Sequence, residues 1–417
     1  VDQKKEDKNI CEHCSEWIDA LQQVSDLSPE DLDILDKPQK VLTFIVPLTM
    51  DDGSVKRFNG YRVQYNNALG PAKGGMRFHE EVDLEEVKTL SFLMTLKTSL
   101  VGLPLGGGKG GIEINPKELS EDELERLTRS FVRQLASFIG PDVDIPAPDV
   151  NTNAKIMGWF MDEYSKIVGT PTPAIVAGKP IDLGGSEGRD KATSLGGAFV
   201  LDAHVSNKKL EKEKLTVAIQ GYGNVGRNIA EILGEWGYNI VAVSNSKGGI
   251  YNPEGLDLEK IGKSIDDSRT LPKEGVKEVS NEELLELPVD ILIPAALSEQ
   301  ITDKNVSEIK AGIIVEMANA PVTHTADDKL HERGVVVVPD ILANAGGVIV
   351  SYYEWLQNKK DEHWTEEDVN HKLKEQITTA FNNVSETQKE TGISMRKSSY
   401  KFAVNRVLEA EKKRGWL

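Results

Sequence analysis

The sequence predicts an α/β protein of two domains, the second built on a doubly wound parallel sheet, and three observations carry that prediction. The chain has 417 residues, more than one hydrophobic core usually supports, so two cores are expected. From about residue 215 onward, short β-branched runs alternate with helical segments, the pattern of a parallel sheet covered on both faces. The first of those runs leads into Gly221-Tyr222-Gly223-Asn224-Val225-Gly226, a G-x-G-x-x-G that stands between a predicted strand and a predicted helix.

Taken in order, the first half reads as mixed α and β. Ser28, Ser120, Ser280 and Thr365 each stand three residues before an acid and ahead of apolar residues at helical spacing, so helices are expected to start there. The runs "VLTFIV" (41–46) and "VKRFNGYRVQY" (55–65) read as strands, and 84–101 has the period of a buried helix. The Gly- and Pro-rich stretch 169–190 is the expected hinge region. Beyond it, strands are expected at 215–220, 239–244, 289–296, 311–318 and 334–340, with a helix from about 224. From about 344 the sequence is helical to its end, a block expected to pack back on the first domain. The predicted boundaries are therefore 1–187, completed by 345–417, and 188–344.

Composition narrows the function classes. With 49 basic and 67 acidic residues the formal charge is −18, which argues against nucleic acid or an anionic membrane as partner. No apolar run approaches the length of a membrane span and no signal-like segment opens the sequence, so a soluble, cytoplasmic protein is expected. Cys11 and Cys14 form a lone C-x-x-C, and no other cysteine completes a four-ligand metal site. No metal is expected, and the pair is expected to be reduced and incidental.

The stretch "LPLGGGKGG" (103–111) sets one lysine, Lys109, among glycines. It is not a phosphate-binding P-loop: that motif needs glycine at the position of Leu103 and a hydroxyl residue at the position of Gly110. Glycine lets backbone approach a ligand closely, so the expectation is a lysine delivered on a tight loop into a crowded site. In the second domain, the glycines Gly221, Gly223 and Gly226, with Asn224 and Val225, have the context of a pyrophosphate-binding turn. At the end of the next strand no acid stands at Ser244 or Asn245 to hold the adenosine ribose hydroxyls, and Lys247 follows. NADP is thus allowed beside NAD, and the sequence inclines toward it.

Six stretches then resemble one family: "GPAKGGMRFH" (70–79), "LKTSLVGLPLGGGKGG" (96–111), "DIPAPDVNT" (144–152), "GYGNVG" (221–226), "EMANAP" (316–321) and "NAGGVIVSYYEW" (344–355). In order and over most of the chain they are similar to the amino-acid dehydrogenases, most closely the glutamate dehydrogenases. The resemblance implies an α/β substrate-binding and oligomerisation domain followed by a Rossmann-like doubly wound dinucleotide-binding domain, assembled as a homohexamer. It implies that Lys109 is the catalytic lysine and that Asp149 shuttles protons to and from the reacting nitrogen. Lys97 matches the lysine that grips the substrate α-carboxylate, and Lys73 with Ser351 matches the pair that holds the distal carboxylate. Burial near Lys73 and Lys97 would lower the Lys109 pKa enough for it to act as a base.

Thr193, Asn319 and Asn344 match positions on the nicotinamide side. Leucine, valine and phenylalanine dehydrogenases resemble the chain at "GPA-GG" but carry an apolar residue where Lys73 stands, so glutamate is the expected substrate. The implied reaction is the reversible oxidative deamination of L-glutamate to 2-oxoglutarate and ammonium with NAD or NADP. Its rivals are a dehydrogenase of another amino acid and a noncatalytic paralogue that binds amino acids in a mixed oligomer.

Overall fold

The computed structural model describes residues 27–415 together with Cys11, Cys14, Ile18, Leu21 and Gln22. These fall into two compact units. The first takes the described residues up to Glu187, then Val348–Val369 and those from Ala403 onward; the second takes Gly188–Gly347 and Asn370–Phe402.

The first unit is built on a five-stranded sheet of β1 (Lys40–Thr49), β2 (Val55–Asn66), β3 (Ala72–His79), β4 (Gly106–Glu113) and β5 (Asp144–Pro148), in the order β1-β2-β4-β3-β5. β4 runs antiparallel to β2 and parallel to β3, and β5 is parallel to β3. On one face, the helices Glu121–Leu135 and Ala154–Val168 bury Leu127, Phe131, Met157 and Phe160 against Val46, Phe78 and Ile112. The helix Leu84–Leu100 covers the other face. The helix starts at Ser28, Ser120, Ser280 and Thr365 each carry the reciprocal capping box that their spacing predicts.

Lys109 does not ride on a tight loop. Gly106–Glu113 is a central strand, and its glycines are there for packing: a Cβ on Gly107 would lie 2.4 Å from the Ser91 carbonyl oxygen of the covering helix. On β3, a Cβ on Gly74 would lie 1.6 Å from the Gly108 carbonyl oxygen. The run that looked like a loop is a strand pressed between two strands and a helix. A second expectation also changes, because Cys11 and Cys14 are joined by a disulfide across a turn in which the Cys14 amide donates to the Cys11 carbonyl.

The second unit is a seven-stranded sheet of β6 (Thr216–Gln220), β7 (Asn239–Asn245), β8 (Gly248–Tyr251), β9 (Lys277–Val279), β10 (Ile291–Pro294), β11 (Ile313–Val315) and β12 (Val336–Val338). Its order is β12-β11-β10-β6-β7-β8-β9, parallel through β7 and finished by the antiparallel edge β8 and β9. This is the doubly wound class expected; β8 and β9 are short, glycine-bearing or charged, and carry too little apolar pattern to be read as strands.

The C-terminal block, expected to join the first domain whole, is divided. Asn370–Phe402 belongs to the second unit, where Arg396 is buried among three carboxylates. Its guanidinium meets Glu316 directly, Asp327 at 3.2 Å and Asp340 at 3.9 Å. Glu316 and Asp340 in turn accept the backbone N–H groups of Asp340 and Ala320. One cation thus ties the helix Met395–Arg414 to the ends of the loops after β11 and β12. Among the described residues no helix is long and apolar enough to cross a membrane.

Candidate active site

Side chains alternate faces along a strand, so register decides which of the predicted residues share a surface. Lys73 on β3 lies opposite Gly107 on β4, two residues from Lys109, which places both lysines on the face covered by the helix Leu84–Leu100. Lys97 belongs to that helix. Gly75, on the same face of β3, is where the loop after β5 closes in: a Cβ there would lie 2.7 Å from Cβ of Asp149. Asp149 is fixed by its own loop, its amide donating to Thr152 Oγ1 and its Oδ1 accepting from the Val150 amide. The Lys109 ammonium rests on Asp149 Oδ2. Residues from three separate sequence stretches therefore converge, and Lys109 is only 7% exposed while Lys73 is 1% exposed.

The pKa of Lys109 is held well below the usual lysine range, and burial is the largest cause. Among neighbouring charges Arg77 pushes hardest in the same direction, with Lys97 and Arg62 adding and Glu86 opposing. Lys109 is expected to be depressed by burial beside Lys73 and Lys97; burial and Lys97 act in that direction, and the leading neighbouring charge is Arg77 instead. Arg77 was missed, although the signal was present: Lys73, Gly75 and Arg77 are alternate residues of one strand and must share a face.

The opposite face of the same sheet carries a buried ion pair. Arg62 Nε and Nη2 reach the two carboxylate oxygens of Asp144, and Arg62 Nη1 donates to the carbonyl of Gly74 at 3.2 Å. Gln64 Nε2 adds a bond of 3.0 Å to the same carboxylate. Asp144 begins the strand that ends beside Asp149, so this pair fixes the strand from below. Ser351 is fully buried on the helix Gly346–Lys360. Three residues further on, Glu354 accepts from the Lys179 ammonium at 2.7 Å and from the Gly178 amide at 2.8 Å, a buried clasp that fixes that part of the helix.

In the second unit, β6 passes into the helix Asn224–Glu235 through the predicted glycine turn. Gly221 has φ of +95°, and a Cβ on Gly226 would lie 1.8 Å from the Gly221 carbonyl oxygen, so both glycines are required by the turn itself. Gly223 is different: it caps the helix with no side-chain bond to the first N–H groups, and nothing lies within 4 Å of where its Cβ would be. Asn224 and Val225 supply the first turn, whose N–H groups have the geometry and dipole for a pyrophosphate.

At the end of β7, the Ser244 hydroxyl is buried and spent on the fold, donating to Asn281 at 2.7 Å and accepting from the Gly221 amide. Asn245 accepts from the Lys247 amide at 2.8 Å, leaving the Lys247 side chain exposed. A cavity of about 420 Å³ opens here between Lys247, Lys273, Glu278 and Glu283. Asn344 Nδ2 donates to Asn319 Oδ1 at 3.0 Å, so the structure brings that predicted pair together. Thr193 lies beside Gly347, where a Cβ would come within 2.8 Å of its hydroxyl.

Comparison with known proteins accounts for both units. Residues 38–166 match the family described as Glu/Leu/Phe/Val dehydrogenase, dimerisation domain, and residues 184–415 the one described as Glutamate/Leucine/Phenylalanine/Valine dehydrogenase. The chain is 47% identical over 384 residues to the NAD-specific glutamate dehydrogenase of Staphylococcus aureus, covering 92% of this chain and 93% of the relative. It is 47% identical over 413 residues to the glutamate dehydrogenase of Thermotoga maritima, covering 98% and 99%. Among solved structures, the hetero-hexameric glutamate dehydrogenase of Thermus thermophilus in its Leu-bound form superposes with a TM-score of 0.91 at 36% identity, covering 100% of this chain and 99% of that one.

Proposed function

Because the chain belongs to the Glutamate/Leucine/Phenylalanine/Valine dehydrogenase family, we propose that it is a glutamate dehydrogenase, interconverting L-glutamate, water and the oxidised dinucleotide with 2-oxoglutarate, ammonium and the reduced dinucleotide. The observation that carries the residue roles is the Lys109–Asp149 pair, set on the same face of the sheet as Lys73. Unit one, completed by the buried Ser351 helix, holds the amino acid; unit two holds the dinucleotide.

Lys73 and Ser351 receive the distal carboxylate and Lys97 the α-carboxylate. A charge-assisted hydrogen bond contributes about 1.5–3 kcal/mol, and an apolar side chain would leave buried Lys73 without that partner, so glutamate is preferred over aliphatic amino acids. Asp149 takes the proton from the substrate α-ammonium. The dinucleotide, held by the open turn at Gly223 and the N–H groups of Asn224 and Val225, supplies a hydride acceptor. Thr193, Asn319 and Asn344 orient its nicotinamide end. Lys109, whose hold on its proton is weakened by burial and by Arg77, then takes a proton from the water that attacks the iminium carbon. Asp149 returns its proton to the leaving nitrogen and, an anion again, relays the carbinolamine hydroxyl proton to the departing ammonia, while Lys109, now charged, stabilises the oxygen as the carbonyl forms.

The inclination toward NADP gains no support, since relatives at 47% identity are named NAD-specific. The cavity beside Lys247 is lined by Lys273, Glu278 and Glu283 as well, with Lys273 paired to Glu278 at 2.6 Å, so its charges balance and give no reason to choose NADP. Homohexameric assembly and a cytoplasmic location complete the reading. The test is initial-rate reductive amination of 2-oxoglutarate by the purified chain with NADH and NADPH side by side. Faster turnover with NADH is expected; no rate with either would turn the assignment toward a noncatalytic subunit.

A further inference from the structure

The side of Asp149 that Lys109 does not use is occupied by a second cation. Arg77 Nη2 lies 3.6 Å from Asp149 Oδ1, while the Lys109 ammonium sits on Oδ2. Arg77 is held there by Glu86, whose carboxylate accepts from Nη1, and its Nε is buried with no hydrogen-bond partner. A side chain clasped at one nitrogen, bare at another and pointed at a carboxylate is arranged for its charge.

We propose that Arg77 is a positioning residue for the Lys109–Asp149 pair: clasped by Glu86, it holds the Asp149 carboxylate from the far side and opposes a positive charge on Lys109. The inference deepens the dehydrogenase reading and takes its purpose from it. The charged groups on the Lys109 side of the sheet are Asp149 from the loop after β5, Lys73 and Arg77 from β3, and Lys97 and Glu86 from the covering helix, while Arg62 from β2 adds its field from the opposite face. Arg62 is matched by Asp144 on the far face. An adjacent carboxylate favours the ammonium, while burial first and Arg77 after it favour the neutral amine, so Arg77 offsets part of the pull of Asp149 on the Lys109 proton. That balance suits a reaction in which Asp149 accepts from the substrate nitrogen and Lys109 accepts from water. The first rank of Arg77 among the charges that lower Lys109 agrees with the geometry.

The experiment is competitive acetic-anhydride labelling of the full-length protein from pH 6 to 11, with the Lys109 peptide followed by mass spectrometry. In the native protein Lys109 should titrate below ordinary lysines. Arg77→Gln should raise its titration point by about one pH unit, lowering Lys109 labelling at the native midpoint pH by roughly fivefold. Arg77→Lys should keep the point near the native one, and Glu86→Gln, which removes an opposing charge, should lower it. The acid limb of glutamate oxidation should move with labelling in each variant. A Lys109 titration unmoved in Arg77→Gln overturns the proposal. If Arg77→Gln fails to give native circular dichroism, an unmoved titration in Glu86→Gln overturns it instead. Labelling needs no turnover, so an inactive native protein would sink the dehydrogenase reading and leave this result standing.

Discussion

Arg62 and Asp144 are both fully buried and meet in a two-pronged ion pair on the face of the five-stranded sheet opposite Lys109. Desolvating two charges is costly, and leaving one of them alone is costlier still. Asp144→Asn should therefore lower the unfolding free energy of the first unit by about 3–5 kcal/mol, measured by urea titration. The double variant Arg62→Met, Asp144→Leu should recover part of that loss, since it removes both charges together.

The distal-carboxylate assignment is tested at Lys73. Lys73→Leu should reduce kcat/KM for glutamate by orders of magnitude and raise relative activity on norvaline and methionine. Glutamate kinetics that survive this change would refute the pocket.

Two glycines of the dinucleotide turn should behave oppositely. Gly223 has ordinary negative φ and open space around its Cβ position, so Gly223→Val should leave the melting temperature unchanged and weaken NADH binding at least tenfold in a fluorescence titration. Gly226→Val forces a side chain onto the Gly221 carbonyl and should lower stability itself, seen as reduced melting temperature without any ligand.

Acid sensitivity has a specific source in His204. Burial pushes it down to about 4, against an unfolded value near 6.5. Between those values the unfolded chain binds more protons, so stability rises with pH across the window and is lost as pH falls through it. The contribution amounts to about 3 kcal/mol. His204→Gln should remove that part of the slope when unfolding free energy is compared between pH 4 and 6.5.

Local signals were legible in the sequence because they depend on neighbours along the chain. The four capping boxes, the helix Leu84–Leu100 and the strand-turn-helix around Gly221 are set by spacings of a few residues. What escaped depends on which strands pair. β4 inserts between β2 and β3, and only that order makes Arg62 and Asp144 neighbours and turns the Gly106–Gly111 run into a strand. The same holds for the division of the C-terminal helices, since amphipathic spacing shows that a helix has a buried face and not which core receives it. Arg77 was within reach, given β3 and the alternation of its side chains.

The Arg396 knot bears on modularity. The dinucleotide-binding half looks like a cassette that begins after the hinge and ends before the Ser351 helix, but Glu316, Asp327 and Asp340 take their counter-charge from beyond that end. Excised as 188–347, the cassette would carry three acids facing one another with no cation between them. Any chimaera that swaps this half for another cofactor preference must bring the first turns of the last helix along with it.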